Sequence, residues 1–230
     1  MSKPLFFIHI GKNGGMTIRS SNLLKGRVSI ATPNTHKEGH ADAVKKKMAE
    51  TKDHQGYEHA RWRDIDSKYH QSHKFFAIIR NPWDRVVSRY WFAKKVIEVE
   101  KKEDSTYADV SSFEAFLEER FKWGNVPLMW HRAVRNWYPA FEHVRNDAGN
   151  VMTDILRFEN YNEDVCQYFD IKEMTRARNV TALNPNSYKD MYTPETIQIV
   201  ADWYDVDINT WGYDFDTGPT KNYWALSNET

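Results

Sequence analysis

The sequence has very little cysteine, no excess of charge of either sign and no long apolar run. Its single cysteine, Cys166, excludes an intrachain disulfide and has no partner at metal-ligand spacing, so a reducing, cytoplasmic setting is expected. Lysine plus arginine and aspartate plus glutamate number 32 each, which argues against nucleic acid or an anionic membrane as a partner. The N-terminal apolar run, Leu5–Ile10, is too short for a signal peptide or a membrane span.

What the chain does contain indicates a globular fold. Its 230 residues are enough for a substantial core, and we expect one domain over residues 1–230. Aromatic residues make up 14% of the chain, a content that argues against disorder. We find no repeat, linker or low-complexity segment.

The first chemical signal is the stretch LFFIHIGKNGGMTI over Leu5–Ile18. It predicts a strand buried on both faces, a glycine-rich turn with one lysine, and a helix over Thr17–Lys25. The glycines allow a tight turn and a close approach of the backbone to a ligand. Free amide groups at the start of the helix would favour an anion, so we expect a phosphate or sulfate ester here.

The nucleotide-binding P-loop is the obvious comparison, but the order of residues differs. In that motif the lysine follows the last glycine, whereas Lys12 precedes the pair Gly14 and Gly15. The pattern therefore supports phosphate binding without a specific case for ATP or GTP. The simplest alternative is a glycine turn in an ordinary βα unit.

A second strand, turn and helix follow at residues 75–90. The apolar run Phe75–Ile79 ends at Arg80, and Asn81 and Pro82 are typical of a helix start. Ser88 lies two turns along this helix, so Arg80 and Ser88 can bracket one phosphate. Arg85 and Arg89 are four residues apart and are interpreted as a solvent-facing pair.

The rest of the chain predicts further strands and helices that extend the same sheet. Strands are expected at Arg27–Ala31 and Met152–Phe158, with a helix over Asn162–Phe169. The aromatic-rich segment Leu128–Trp137 is interpreted as a further helix. Together these elements predict an α/β fold in three layers, with a central, mainly parallel sheet between helices.

Five segments, in the same order along the chain, resemble the sulfotransferase family that uses 3′-phosphoadenosine 5′-phosphosulfate (PAPS). The two loops are similar to its P-K-T-G-G-T-S and R-N-P-x-x-R-x-x-S-x-Y motifs, the first typical of the carbohydrate-type branch. GHADA at 39–43, LRFEN at 156–160 and YTPETIQIVADWYDVDINTWGYDF at 192–215 match three more family segments. The resemblance implies a P-loop-NTPase-like sulfotransferase fold.

The resemblance also implies roles for individual residues. The first loop would hold the 5′-phosphosulfate through Lys12, Asn13, Gly14, Gly15, Met16 and Thr17, with Met16 acting through its backbone. Arg80 and Ser88 would hold the 3′-phosphate, and Arg178 and Tyr188 are candidate contacts from a loop over the cofactor. Gly11, Asn13 and Met16 depart from the family pattern, and Met16 removes one hydroxyl donor.

The expected chemistry is sulfuryl transfer from PAPS to a hydroxyl, leaving PAP, with carbohydrate as the expected acceptor class. Lys12 would stabilise charge on the leaving phosphate. His40, in the family's Gly-His segment, is the predicted base, and His36 is the alternative. A nucleotide kinase and a catalytically silent PAP-binding protein are the rival functions.

No metal is predicted. His36 and His40 have helical ligand spacing, but Pro33 and Gly39 make a continuous helix doubtful and the sequence indicates no third ligand. His9, inside the first strand, is interpreted as a core histidine whose hydrogen bonds are satisfied. The acceptor pocket is expected among residues 123–137 and the histidine-rich region.

Overall fold

The computed structural model describes residues 3–99, 108–174 and 187–227. Its sheet contains four parallel strands, namely β1 (Leu5–Ile8), β2 (Val28–Ile30), β3 (Lys74–Ile79) and β4 (Asp154–Arg157). The strand order is β2-β1-β3-β4, with Phe7 paired to Ile30 on one side and to Phe76 on the other. The predicted parallel sheet is therefore confirmed.

Both faces of this sheet are covered by apolar residues. Along β3, Ala77 and Ile79 belong to one core cluster, whereas Phe76 and Ile78 belong to a second cluster on the opposite face. Strands that are buried on both faces are rich in large apolar residues without polar alternation, as β1 and β3 are. This arrangement confirms the three-layer α/β architecture.

Helices fill the connections between strands and the segment after β4. They are α1 (Gly15–Ser20), α2 (His40–Glu50), α3 (Ser67–Ser72), α4 (Pro82–Lys94), α5 (Phe113–Trp123), α6 (Ala140–Val144), α7 (Tyr161–Phe169), α8 (Pro194–Trp203), α9 (Asp205–Trp211) and α10 (Trp224–Ser227). No helix in the described ranges is both long and apolar enough to span a bilayer. Helix α1 begins two residues earlier than expected and is only six residues long.

The start of α4 follows the sequence signals. The Asn81 side chain accepts hydrogen bonds from the backbone N–H groups of Trp83 and Asp84, and Pro82 occupies the first helical turn. The side-chain nitrogen of Asn81, Nδ2, also donates to the backbone carbonyls of Asp214 and Thr217. The cap thus fixes where β3 ends and where the C-terminal segment crosses the sheet edge.

Two predictions about the following region are wrong. Arg85 and Arg89 do not face solvent but are buried, at 1% and 0% exposure. Leu128–Trp137 is not a helix, and only Met129–His131 forms a 3₁₀ turn.

One cause explains both errors. Arg89 donates hydrogen bonds to the carbonyl oxygens of Ala133 (3.3 Å) and Val134 (2.5 Å), and Arg85 donates to that of Tyr138 (3.0 Å). Because buried carbonyls need partners, these arginines allow the segment to run in an irregular conformation. The apolar faces of the segment still pack in the core, as its composition suggested.

Candidate active site

The two predicted loops meet at the carboxyl edge of the sheet. The Arg80 guanidinium, directly after β3, donates a hydrogen bond of 2.8 Å to the backbone carbonyl of Lys12, which follows β1. Strand order reverses between β1 and β3, because β2 lies on one side of β1 and β3 on the other. In open parallel sheets, such a switch point opens a crevice beyond the strand ends where ligands bind.

The loop between β1 and α1 is sharply bent. Lys12 and Gly14 both have left-handed backbone conformations, with φ of 70° and 79°. For Lys12, which carries a Cβ, this is an uncommon conformation of the kind found at functional sites.

The two glycines are required by packing inside the protein. A Cβ atom on Gly14 would lie 2.8 Å from Tyr161, and one on Gly15 would lie 2.0 Å from His9. The sequence prediction had assigned these glycines to close approach of a ligand. The structure shows that their missing side chains also make room for neighbouring rings, and close approach of a ligand to their backbone stays a prediction.

The other three predicted residues of this loop, Asn13, Met16 and Thr17, differ in burial and in their contacts. The Asn13 side chain is buried and donates to the carbonyl of Ile78 at 2.8 Å, which ties the loop to β3. Met16 is 39% exposed, so a contact with a ligand at this position falls to its backbone or flexible side chain. Thr17 is buried, and its hydroxyl interacts with that of Tyr161.

Arg80 already has an acidic partner. Its Nε and one terminal nitrogen each lie 2.7 Å from a carboxylate oxygen of Asp84, forming a bidentate pair. Its guanidinium also lies 4.1 Å from the centre of the Phe158 ring. The pair and the ring fix the position of Arg80 at the loop.

Ser88 lies on the same face of α4 as this pair. Residues 84, 88 and 92 are spaced by four, so Asp84, Ser88 and Phe92 form a row along the helix. The Lys12 ammonium group lies 4.3 Å from the centre of the Phe92 ring. This row therefore faces the β1–α1 loop and carries Ser88 toward it.

The environment of Lys12 weakens its hold on a proton. Burial, with smaller contributions from the positive charges of Arg80 and Lys95, lowers the pKa of Lys12 to about 8. A cation that is partly desolvated and near other cations gains free energy when an anion binds beside it. The loop is thus an electropositive site suited to an anion.

Arg178 and Tyr188 are the two residues predicted to contact the cofactor from a loop above it. Arg178 lies outside the described residues. Tyr188 donates to the Phe215 carbonyl, and its pKa is raised to about 12, mainly by burial and then by the negative charge of Asp84. Its hydroxyl therefore stays protonated at neutral pH.

His40 is the first residue of α2 and is buried together with two other histidines. Its Nε2 lies 3.1 Å from Nε2 of His131 and 3.7 Å from a carboxylate oxygen of Asp64. His36 joins them, with its ring centre 5.0 Å from that of His40. The sequence indicated no third residue beside this pair, and the structure brings the His131 ring to it.

These histidines are connected to the β1–α1 loop by a short chain of contacts. His131 Nδ1 donates to the Gly56 carbonyl at 3.0 Å, and Nδ1 of the nearby His59 donates to the His9 carbonyl at 2.8 Å. Gly11 packs against Ala133, two residues after His131. The histidine cluster therefore borders the same edge of the sheet as Lys12.

His9 lies in the core as predicted, but its hydrogen bonds are not all satisfied by the part of the chain that the structure describes. It is buried as expected, at 3% exposure, but its Nδ1 has no hydrogen-bond partner among the described residues. Burial, the nearby His59 and Arg19 hold its pKa well below the usual range. His9 is therefore a neutral ring that packs on Gly15.

Several residues of the site were not identified from the sequence. Asp84 and Phe92 follow Arg80 and Ser88 by four residues, so helical spacing was a usable signal for both. Phe158 and Tyr161 follow β4 and lie beside Gly14 of the loop, and His131 comes from an irregular segment. No local pattern indicates such long-range contacts.

A known protein family matches the sequence over most of its length. Residues 2–214 match the sequence model of the sulfotransferase family. A crystal structure of a sulfotransferase from Alicyclobacillus acidocaldarius is similar in structure, with 16% sequence identity, a TM-score of 0.40, and coverage of 91% of this chain and 94% of that chain. A search of curated proteins returned no match. Since the family model spans nearly the whole sequence, this chain belongs to the sulfotransferase family.

Proposed function

We propose that this protein transfers a sulfuryl group from PAPS to a hydroxyl group of a carbohydrate or other small acceptor. The observation that carries the proposal is the contact between Lys12 and Arg80, which joins both predicted phosphate loops at the switch point of the sheet. A donor with phosphates at both its 5′ and 3′ positions needs two such anion sites in one cavity. Membership of the family supports the same donor.

The residues fit a phosphosulfate at the first loop. The backbone N–H groups of Gly14, Gly15 and Met16 precede or open α1, where helix geometry leaves amides without intrahelical acceptors. The Lys12 ammonium is adjacent and lacks an acidic partner among the hydrogen bonds and ion pairs of the described residues. Lys12 would stabilise the negative charge that develops on the leaving phosphate, where charge increases in the transition state.

The second phosphate would bind beside Arg80 and Ser88. Arg80 retains N–H groups beyond those used for Asp84 and Lys12, since a guanidinium has five. A phosphate there must approach the negative charge of Asp84. The arrangement therefore limits affinity at this position and makes Asp84 a useful probe of it.

His40 is the proposed base for the acceptor hydroxyl. Burial lowers the pKa of His40 below its usual value, opposed in part by Asp64, so the ring is neutral and has a free lone pair at pH 7. The pKa of His36 falls further, to about 4, which makes it a weaker proton acceptor. This difference favours His40 over the alternative.

A nucleotide kinase is the less favoured candidate. Kinases need carboxylates that hold Mg²⁺ near the phosphates. Two acids beside the second loop are already engaged, because Asp84 pairs with Arg80 and Glu159 accepts from the Asn81 backbone at 2.6 Å. A catalytically silent protein would bind PAP through the same residues as an active sulfotransferase. Only a measurement of sulfate transfer distinguishes the two.

The first experiment measures which nucleotide the protein binds. Thermal unfolding is followed with PAP, PAPS, ATP or GTP, each with and without Mg²⁺. A ligand at 100 times its dissociation constant stabilises the folded state by about 2.7 kcal/mol. We expect stabilisation by PAP and PAPS without metal, and stabilisation by ATP only with Mg²⁺ would favour the kinase.

The second experiment measures transfer of labelled sulfate to a panel of hydroxyl acceptors. Lys12→Ala should abolish transfer, whereas Lys46→Ala, on the exposed face of α2, serves as the control. His40→Ala should bind PAP as the wild type does and lose transfer, with His73→Ala as its control. Binding of PAP without transfer to any acceptor would support the silent alternative.

A further inference from the structure

Three buried histidines from separate segments converge on one point. We propose that His36, His40 and His131 bind a divalent transition-metal ion, and that Zn²⁺ is the ion this site fits best. One ring nitrogen from each lies within 4.8 Å of the others, and the three residues are 6%, 8% and 0% exposed. The proposal needs neither PAPS nor the Lys12–Arg80 site.

The distances suit a tetrahedral ion. Two imidazole nitrogens that bind one Zn²⁺ at 2.0–2.1 Å lie about 3.3 Å apart. The Nε2 atoms of His40 and His131 are 3.1 Å apart. The ring centres should then be separated by about 5.2 Å. The observed separations are 5.0 Å between His36 and His40, 5.4 Å between His40 and His131, and 5.9 Å between His36 and His131.

The hydrogen bond of His131 determines where its lone pair points. Its Nδ1 lies 3.0 Å from the Gly56 carbonyl, which can only accept, so Nδ1 carries the proton. In the neutral ring, Nε2 is then unprotonated and faces His40. A carbonyl that binds the second ring nitrogen is a common outer partner of metal-binding histidines.

His36 has polar atoms that the described residues leave unsatisfied. Both of its ring nitrogens are buried and neither has a hydrogen-bond partner of good geometry there, although the Tyr57 backbone is close enough to influence the ring. Buried polar groups are normally paired, and an exception in a native structure calls for a missing partner. A metal ion between the three rings supplies one.

The backbone holds two of the ligands in place without the metal. His36 forms an isolated antiparallel bridge with Ile65, flanked by a hydrogen bond of 2.9 Å from the Lys37 N–H to the Asp64 carbonyl. His40 follows Gly39, whose left-handed conformation starts α2. Such pre-organisation lowers the cost of assembling a site.

The donor set and nearby charge select the kind of ion. Three neutral imidazoles suit zinc and its neighbours in the first transition row, whereas magnesium and calcium prefer oxygen ligands. Asp64 provides a fixed negative charge beside His40. The same carboxylate pairs with Arg61 and so balances the positive charge of that arginine. One coordination position remains for water.

The test uses protein without a polyhistidine tag, stripped with a chelator and dialysed. Calorimetric titration with Zn²⁺ should show one ion bound per chain, and Co²⁺ should give the strong visible absorption of a four-coordinate ion. His36→Ala should weaken binding more than about 100-fold, since loss of even an outer partner costs 10- to 100-fold. The control is His73→Ala, a histidine outside the cluster.

Two results would overturn the site. One is wild-type protein that binds neither Zn²⁺ nor Co²⁺, and the other is folded His36→Ala that binds as tightly as wild type. Circular dichroism shows whether the variant folds. Should it fail to fold, the Co²⁺ spectrum of the wild-type protein decides alone, because its intensity separates four-coordinate from six-coordinate binding. Since no nucleotide or sulfate transfer enters the test, its failure leaves the proposed function standing.

Discussion

Lys12 is a cation in an environment that opposes its charge. Its pKa is lowered to about 8, so it loses its proton, and with it the proposed interaction with phosphate, as the pH rises through that value. We expect kcat/KM for the donor to fall above about pH 8, because this parameter reports ionisation in the free enzyme. In Lys12→Arg the alkaline fall should move beyond pH 10, since arginine keeps its charge there.

The control for this pH profile is Lys46→Arg, which exchanges the same residue types on exposed surface. Its profile should follow that of the wild type. An alkaline fall that stays in place in an active Lys12→Arg enzyme would mean that another group titrates near pH 8.

Asp84 is the second residue whose charge has a measurable consequence. It neutralises Arg80 in the ligand-free protein and would repel a phosphate bound there. Asp84→Asn keeps the size of the side chain and removes the charge, so PAP should bind roughly 3- to 10-fold more tightly, a gain of about 1 kcal/mol. Calorimetric titration with PAP measures this, and weaker binding would show that Asp84 is needed to orient Arg80.

At the scale of elements, the β1–α1 loop depends on a contact between a glycine and a ring. An alanine at Gly15 would place its Cβ 2.0 Å from His9, which is buried and cannot move freely. We expect Gly15→Ala to lower the free energy of unfolding by about 1–3 kcal/mol, the usual cost of overpacking. Urea denaturation measures this loss.

A double variant separates this contact from other effects at Gly15. His9→Ala removes the ring that the new Cβ would meet. The cost of Gly15→Ala should therefore shrink in the His9→Ala background, which a double-mutant cycle measures. Equal costs in both backgrounds would place the strain elsewhere in the loop.

Local patterns predicted the regular elements well and the irregular ones poorly. The buried runs of β1 and β3 and the Asn81-Pro82 helix start follow from burial and capping, which depend on neighbouring residues. The segment after Leu128 failed because Arg85 and Arg89 bind its carbonyls from another helix. A charged residue looks solvent-exposed unless the sequence also shows what it will bind.

For the whole molecule, the order of the strands explains which part of the site was predictable. Lys12 and Arg80 each follow a strand, so a parallel sheet with these strands adjacent must bring them to one edge. His131 reaches the same edge through a segment without periodicity. The meeting of Lys12 and Arg80 could therefore be predicted, whereas the position of the third histidine could not.

The many buried histidines should make the protein sensitive to mild acid. Burial holds the pKa values of His9, His59 and His143 below the usual 6.5. Below about pH 6.5 the unfolded chain takes up protons that the folded protein does not, so stability falls as the pH falls. Each such histidine contributes about 1.4 kcal/mol per pH unit.

Urea denaturation between pH 7 and pH 5 measures this effect at constant ionic strength. The midpoint should decrease steadily over that range, and His143→Gln should flatten the slope relative to the wild type. A midpoint that stays constant from pH 7 to pH 5.5 would show that these rings are protonated in the folded state.

The proposed metal site and the proposed base share one residue, which links binding to activity. If His40 accepts the proton of the acceptor, a Zn²⁺ ion on His40 occupies the lone pair that this step needs. Given the proposed sulfuryl transfer, we expect Zn²⁺ to inhibit the wild-type enzyme and a chelator to restore its rate. In His36→Ala, which binds the ion weakly, the ratio of rates with and without Zn²⁺ should approach one. Zn²⁺ that binds stoichiometrically and leaves the wild-type rate unchanged would assign the base to a residue outside the cluster.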